Sequence, residues 1–150
     1  MARMSLWDLR AEAAIIARLS LTDLRSNVMA DKLLMMMVNT DPSNPSELGA
    51  PFFQATVAAA MEYEVTVVLT ARAGELAIKG VAEKLFVQEG STKSVYDFIK
   101  DAHEAGVHFK VCTPTLELWG KDLIPEIEET VGGAYVITQA MDDDTVTFTY

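Results

Sequence analysis

Leu33-Leu34-Met35-Met36-Met37-Val38-Asn39-Thr40 is the stretch that decides the fold. Its apolar residues stand without polar alternation and close on the turn-forming loop Asp41-Pro42-Ser43-Asn44-Pro45-Ser46. A strand with one wet face alternates; an unbroken run of this length, ended by turn chemistry, reads as a strand covered on both faces, as in a parallel sheet. Lys32 to Thr40 is thus expected to be the first strand.

Upstream, Leu6, Leu9, Ala13, Ile16, Leu19 and Leu24 recur at steps of three and four, the mark of one or two amphipathic helices. Residues 1–30 are read as a helical extension and residues 31–150 as one α/β domain. Downstream, Ser46 is the expected N-cap of a helix running to about Tyr63, with Phe52, Phe53, Thr56, Ala60 and Met61 as its inner face. Glu64 to Thr70, rich in valine, is the second strand. A helix from about Gly74 to Lys84 should follow, then another from Ser94 to Ala105 with Gly106 as its C′ residue.

Val107 to Cys112 reads as the third strand, with Val107, Phe109 and Val111 on one face and His108, Lys110 and Cys112 on the other. Thr113-Pro114 reads as an N-cap followed by proline at the first helical position, opening a short helix through Leu118. A short strand near Thr130-Val131, a helix from Ala134 to Met141, a turn at Asp142-Asp143-Asp144 and a last strand from Thr145 complete the chain. Strands alternating with helices define the class: an open three-layer α/β/α fold on a mainly parallel five-stranded sheet, flavodoxin-like in appearance.

Composition narrows function before any motif does. Half of the 150 residues are hydrophobic, which supplies a core and excludes disordered or low-complexity classes. A formal charge of −10 repels phosphate backbones and anionic lipid, so neither nucleic acid nor membrane is an expected partner. No apolar stretch has the length of a bilayer span or of a secretory h-region. The single cysteine forms no intrachain disulfide and no cysteine-based structural zinc site, which fits a reducing, cytoplasmic compartment. No metal and no cofactor is implied.

In parallel sheets, functional groups collect at the carboxyl ends of strands, here Asn39-Thr40-Asp41, Thr70-Ala71-Arg72 and Cys112-Thr113-Pro114. Cys112 is the most reactive of these groups, and the helix expected after it would favour its thiolate, as would Lys110 on the same strand face. The bland alternative is that Cys112 is a small buried hydrophobe.

The segment Val107-His108-Phe109-Lys110-Val111-Cys112-Thr113-Pro114, ending at Trp119-Gly120 and preceded by Ala105-Gly106, resembles the cysteine-bearing segment of the DsrE/DsrF-like sulfur-relay family, with its TusD relatives. The resemblance extends over roughly Lys32 to Tyr150. It implies that Cys112 carries a persulfide received from a sulfur donor protein and handed to an acceptor protein, and that the chain assembles as a homotrimer or hexamer. One cysteine with no neighbouring thiol to resolve it suits such a carrier and argues against a dithiol redox cycle. Leu118-Trp119-Gly120 stands where relatives often carry an arginine before the glycine, leaving Arg72 or Lys121 to replace that cation. The site residues read in this way are Cys112 as the reacting group, with Arg72, Lys110, Thr113 and Trp119 as binding residues. A structural subunit of the same fold with an inert cysteine is the alternative, followed by a nucleotide- or flavin-binding module.

Other groups read as structural. His108 lies four strand residues from Cys112, about 13 Å, too far to act as its base. His103 reads as a solvated surface residue. Met35 to Met37 read as core filling rather than a soft-metal site, and Asp142 to Asp144 as a polar turn. The loop from Asn39 to Ser46 reads as a lid beside Cys112.

Overall fold

The computed structural model describes residues 30–150; the helices expected over the first thirty residues lie outside them, apart from Ala30. Five strands form one sheet: β1 (Lys32–Met37), β2 (Glu64–Leu69), β3 (His108–Cys112), β4 (Ile127–Val131) and β5 (Thr145–Thr149). Their order is β4-β3-β2-β1-β5, and every pairing is parallel. Helices α1 (Gly49–Ala60), α2 (Val95–Glu104), α3 (Thr113–Trp119) and α4 (Gly133–Ala140) complete the domain.

Period-two alternation of strand side chains divides the interior into two layers. On one face Met35, Met37, Val67, Leu69, Phe109 and Val111 pack against Phe52 and Ala55 of α1 and Val95, Ile99 and Ala102 of α2. The Phe52 and Phe109 rings meet there at 6.1 Å. On the other face Leu34, Val68 and Val131 lie under Tyr135, Val136 and Ala140 of α4. The result is a three-layer α/β/α fold. The unbroken apolar run of β1 follows from its central place, with Met35 and Met37 in the large core and Leu34 and Met36 in the smaller one.

α2 is built by its own sequence. Ser94 caps it in a reciprocal box with Asp97. Gly106, at φ +103°, closes it, with Val107 N–H donating to Ala102 and Gly106 N–H to His103. This helix matches its sequence reading at both ends.

Three expectations are corrected. Ser46 does not cap α1: it lies in a 3-10 turn at Pro45–Glu47, and α1 starts after Leu48 with no side-chain cap. The inner face of α1 is Pro51, Phe52 and Ala55, whereas Phe53 and Met61 are each 61% exposed. No α-helix spans Gly74 to Lys84. Two 3-10 turns, Ala73–Ala77 and Ala82–Lys84, stand there instead. The cause is tertiary: Lys79 N–H donates to Asp122, Ile124 N–H donates to Ala77, and Ile78 bridges Leu123, so the middle of the segment is committed to a distant stretch and only short 3-10 turns close locally on either side. Gly80 at φ +82° also breaks any helical continuation.

Candidate functional site

Cys112 is the last residue of β3 and is half-buried. The chain turns directly from it into α3, so the N-cap is Cys112 itself and not Thr113, a one-residue correction, with Pro114 inside the first turn. The thiol makes no capping hydrogen bond. Alternation along β3 puts Phe109 and Val111 in the large core and His108, Lys110 and Cys112 on the α4 side, as the sequence implied.

What fixes Cys112 is the docking of α3. Thr113 Oγ1 donates to the Val131 carbonyl at 3.2 Å, tying the start of α3 to the end of β4. Thr115, 1% exposed, packs so closely on Gly74 that a methyl group at Gly74 would stand 2.0 Å from Thr115 Cγ2. At the far end of α3 the Trp119 indole N–H donates to the Ala71 carbonyl at 2.8 Å. Ala71 holds a left-handed φ of +48°, and this bond secures its peptide. The helix is thus pinned to the turn after β2 at both of its turns.

Arg72 joins the same wall. Its guanidinium lies 5.8 Å from the centre of the Trp119 ring, within the range of a cation–π contact. Its Nε donates to Asp41 Oδ1 at 3.1 Å, on the loop after β1. The Asp41 carboxyl is held below the ordinary aspartate range, first by the Ser43 backbone N–H and then by Arg72. Carboxyl-end turns of β1 and β2 and the end of α3 are therefore linked as Asp41, Arg72 and Trp119. Arg72, from the β2 turn, thus stands against Trp119, the residue before Gly120.

Lys110 is occupied differently. Its Nζ donates to Glu129 at 2.6 Å and lies 5.0 Å from the centre of the Tyr135 ring. The Glu129 carboxylate holds its ammonium above the usual lysine range. Of the binding residues read from sequence, the structure joins Arg72 with Trp119, ties Thr113 to β4, and engages Lys110 with β4 and α4. Asp41 and Gly74 were missed as site residues. Asp41 had a signal, an acidic strand end facing a basic one in the next loop; Gly74 had none, because its need for space depends on Thr115.

His108 Nδ1 lies 3.0 Å from Glu128, and His103 Nδ1 lies 3.9 Å from the same carboxylate. Both are placed at the amino end of the sheet, away from Cys112. Among the described residues no helix is long and apolar enough to cross a membrane.

The class these features define is an open α/β/α domain whose one thiol ends a sheet strand beside a pinned short helix. Within that class a family model, the DsrE/DsrF/DrsH-like family, matches residues 71–148, just over half of the chain, and the protein belongs to that family. The matched span contains Arg72, Lys110, Cys112, Thr113 and Trp119. Membership points to a role related to sulfur relay. No curated protein matches the chain.

Proposed function

We propose that this protein is a sulfur carrier that holds a persulfide on Cys112 and relays sulfane sulfur between a donor protein and an acceptor protein in the cytoplasm. The observation that carries this reading is the placement of the chain's one thiol, half-buried and making no capping hydrogen bond, at the end of β3 in a member of this family. In the first step the Cys112 thiolate attacks the outer sulfur of a donor persulfide. The new S–S bond forms as the donor's S–S bond breaks, and the donor leaves as its own thiolate. In the second step an acceptor thiolate attacks the outer sulfur on Cys112 and releases the Cys112 thiolate. The two exchanges balance without an external oxidant, reductant or cofactor.

Arg72 and Trp119 would receive the incoming partner, offering a cation and an aromatic surface, while Lys110 and Thr113 hold the strand end that presents the sulfur. A net charge of −10 favours a basic partner surface. A homotrimer or hexamer is the assembly proposed with this reading.

Intact-protein mass spectrometry after brief exposure to polysulfide tests it, beside Cys112→Ser and an alkylation time course. Wild type should gain mass in single-sulfur steps and alkylate quickly in the native state, and the variant should do neither. A Cys112 that takes no sulfur and resists alkylation until unfolding would leave an inert structural subunit.

A further inference from the structure

The two edges of the sheet are finished differently. β4 carries Glu128 and Glu129 and a register irregularity opposite Phe109/Lys110, the charges and bulge that discourage a further strand. β5 is Thr145-Val146-Thr147-Phe148-Thr149, with no charge, no proline and no register shift against β1. It has no strand beyond it among the described residues. Val146 and Phe148 remain 46% and 43% exposed although they share the sheet face of Leu33 and Met35.

α1 extends this apolar edge. Phe53, Val57 and Met61 recur every four residues and are 61%, 40% and 61% exposed. Gln54, next to Phe53, is hydrogen-bonded to the Tyr150 hydroxyl just past β5, which sets this side of α1 toward that strand. Together the five side chains offer roughly 400 Å² of accessible apolar surface, taking about half of the area of each. That is close to the apolar share of the about 800 Å² per partner in a standard interface.

We infer that the β5 edge and the Phe53-Val57-Met61 stripe of α1 form a two-fold interface with a second copy of this chain, β5 pairing antiparallel with β5 about Thr147. An uncharged patch on a chain of net charge −10 is the surface on which two copies meet with least repulsion. A two-fold contact is self-complementary, so each stripe covers the partner's edge strand and is covered in return. The assembly must then be even-numbered: of the two sizes proposed above the hexamer, or else a simple dimer. The inference does not depend on the sulfur chemistry, and Cys112→Ser should assemble as wild type does.

Light scattering coupled to gel filtration on the full chain tests it at micromolar concentration. Wild type should have an even-numbered mass, and Phe53→Glu and Val146→Lys should each halve it with unchanged circular dichroism. Ile137→Glu, on the exposed side of α4, should leave the mass intact. Thr147→Cys in a Cys112→Ser background should form a disulfide-linked pair under air. A monomeric or trimeric wild type, an unchanged mass in the Phe53 and Val146 variants, or no cross-link at Thr147 would overturn the interface and leave the patch to another occupant.

Discussion

Gly74→Ala probes the joint that sets the position of Cys112. The backbone at Gly74 is not left-handed, so alanine is conformationally acceptable and only space is at issue. The added carbon would lie 2.0 Å from Thr115 Cγ2 and 3.0 Å from both Cβ and Oγ1. Carbon atoms in contact sit about 3.5–4.0 Å apart, so the two backbone segments must separate by roughly 1.5 Å. Thr115 is buried and β-branched, with little rotamer freedom to yield, and α3 itself has to move. Overpacking of this kind costs about 1–3 kcal/mol, and the short distance puts this case at the upper end. For a chain of this size, about 3 kcal/mol lowers Tm by roughly 6–12 °C. Urea and thermal unfolding give the stability, and native-state alkylation of Cys112 reports the displacement of α3 through a changed rate. Thr115→Ala in the same chain removes Cγ2, the atom at 2.0 Å, together with Oγ1, leaving only Cβ at 3.0 Å, and should restore more than about 1 kcal/mol, a coupling that distant sites do not show. A Gly74→Ala protein within about 0.5 kcal/mol of wild type, or a double variant with no rescue, would refute the packing argument.

Three other perturbations test neighbouring parts of the reasoning. Trp119→Phe keeps the ring under Arg72 but removes the bond to Ala71, and should cost about 1 kcal/mol in urea unfolding while slowing polysulfide loading of Cys112 several-fold. Gly106→Ala forces a side chain into φ +103° at the end of α2 and should lower stability by about 1–2 kcal/mol by calorimetry, with no change in loading. Asp97 is held at about 2, against an ordinary 3.8, by Lys100 first and Ser94 next. A carboxyl depressed on folding contributes stability that is complete above the unfolded value and is lost as pH falls from about 4 through about 2. Ser94→Ala should therefore cost about 1 kcal/mol near neutrality and flatten that acid limb in unfolding curves.

Much of the fold was legible because its signals are local. The β1 run has no alternation to misread, and α2 carries both its stops locally, a Ser94/Asp97 capping box at one end and the left-handed Gly106 at the other. The stretch after Gly74 was misread because its composition suits a helix while its backbone bonds to residues 122–124, a partner no window of sequence contains. The inner face of α1 was misplaced for a different reason: the helix is apolar almost all round, and periodicity cannot pick a face when every face qualifies. At the site, Cys112 stood out as the one thiol at a strand end. The linked group of Asp41, Arg72 and Trp119 was not visible as a unit, since Asp41 and Arg72 are 31 positions apart and Trp119 meets Ala71 across 48. Only the topology brings those loops to one end of the sheet.

The place of β5 beside β1 also governs how the molecule assembles in time. Lys32 at the start of β1 is paired with Asp142 before β5, across 110 positions, whereas β1 and β2 are joined through a single helix. Closing the longer loop has the higher entropic cost, so the β1–β5 seam should be the late event in refolding, after β1 and β2 have zipped together. Until it closes, Leu33 to Met37 present an open apolar ladder on one side. Refolding yield should therefore fall with protein concentration, and a peptide spanning Thr145–Thr149 added at the start should compete for that ladder and slow the final phase.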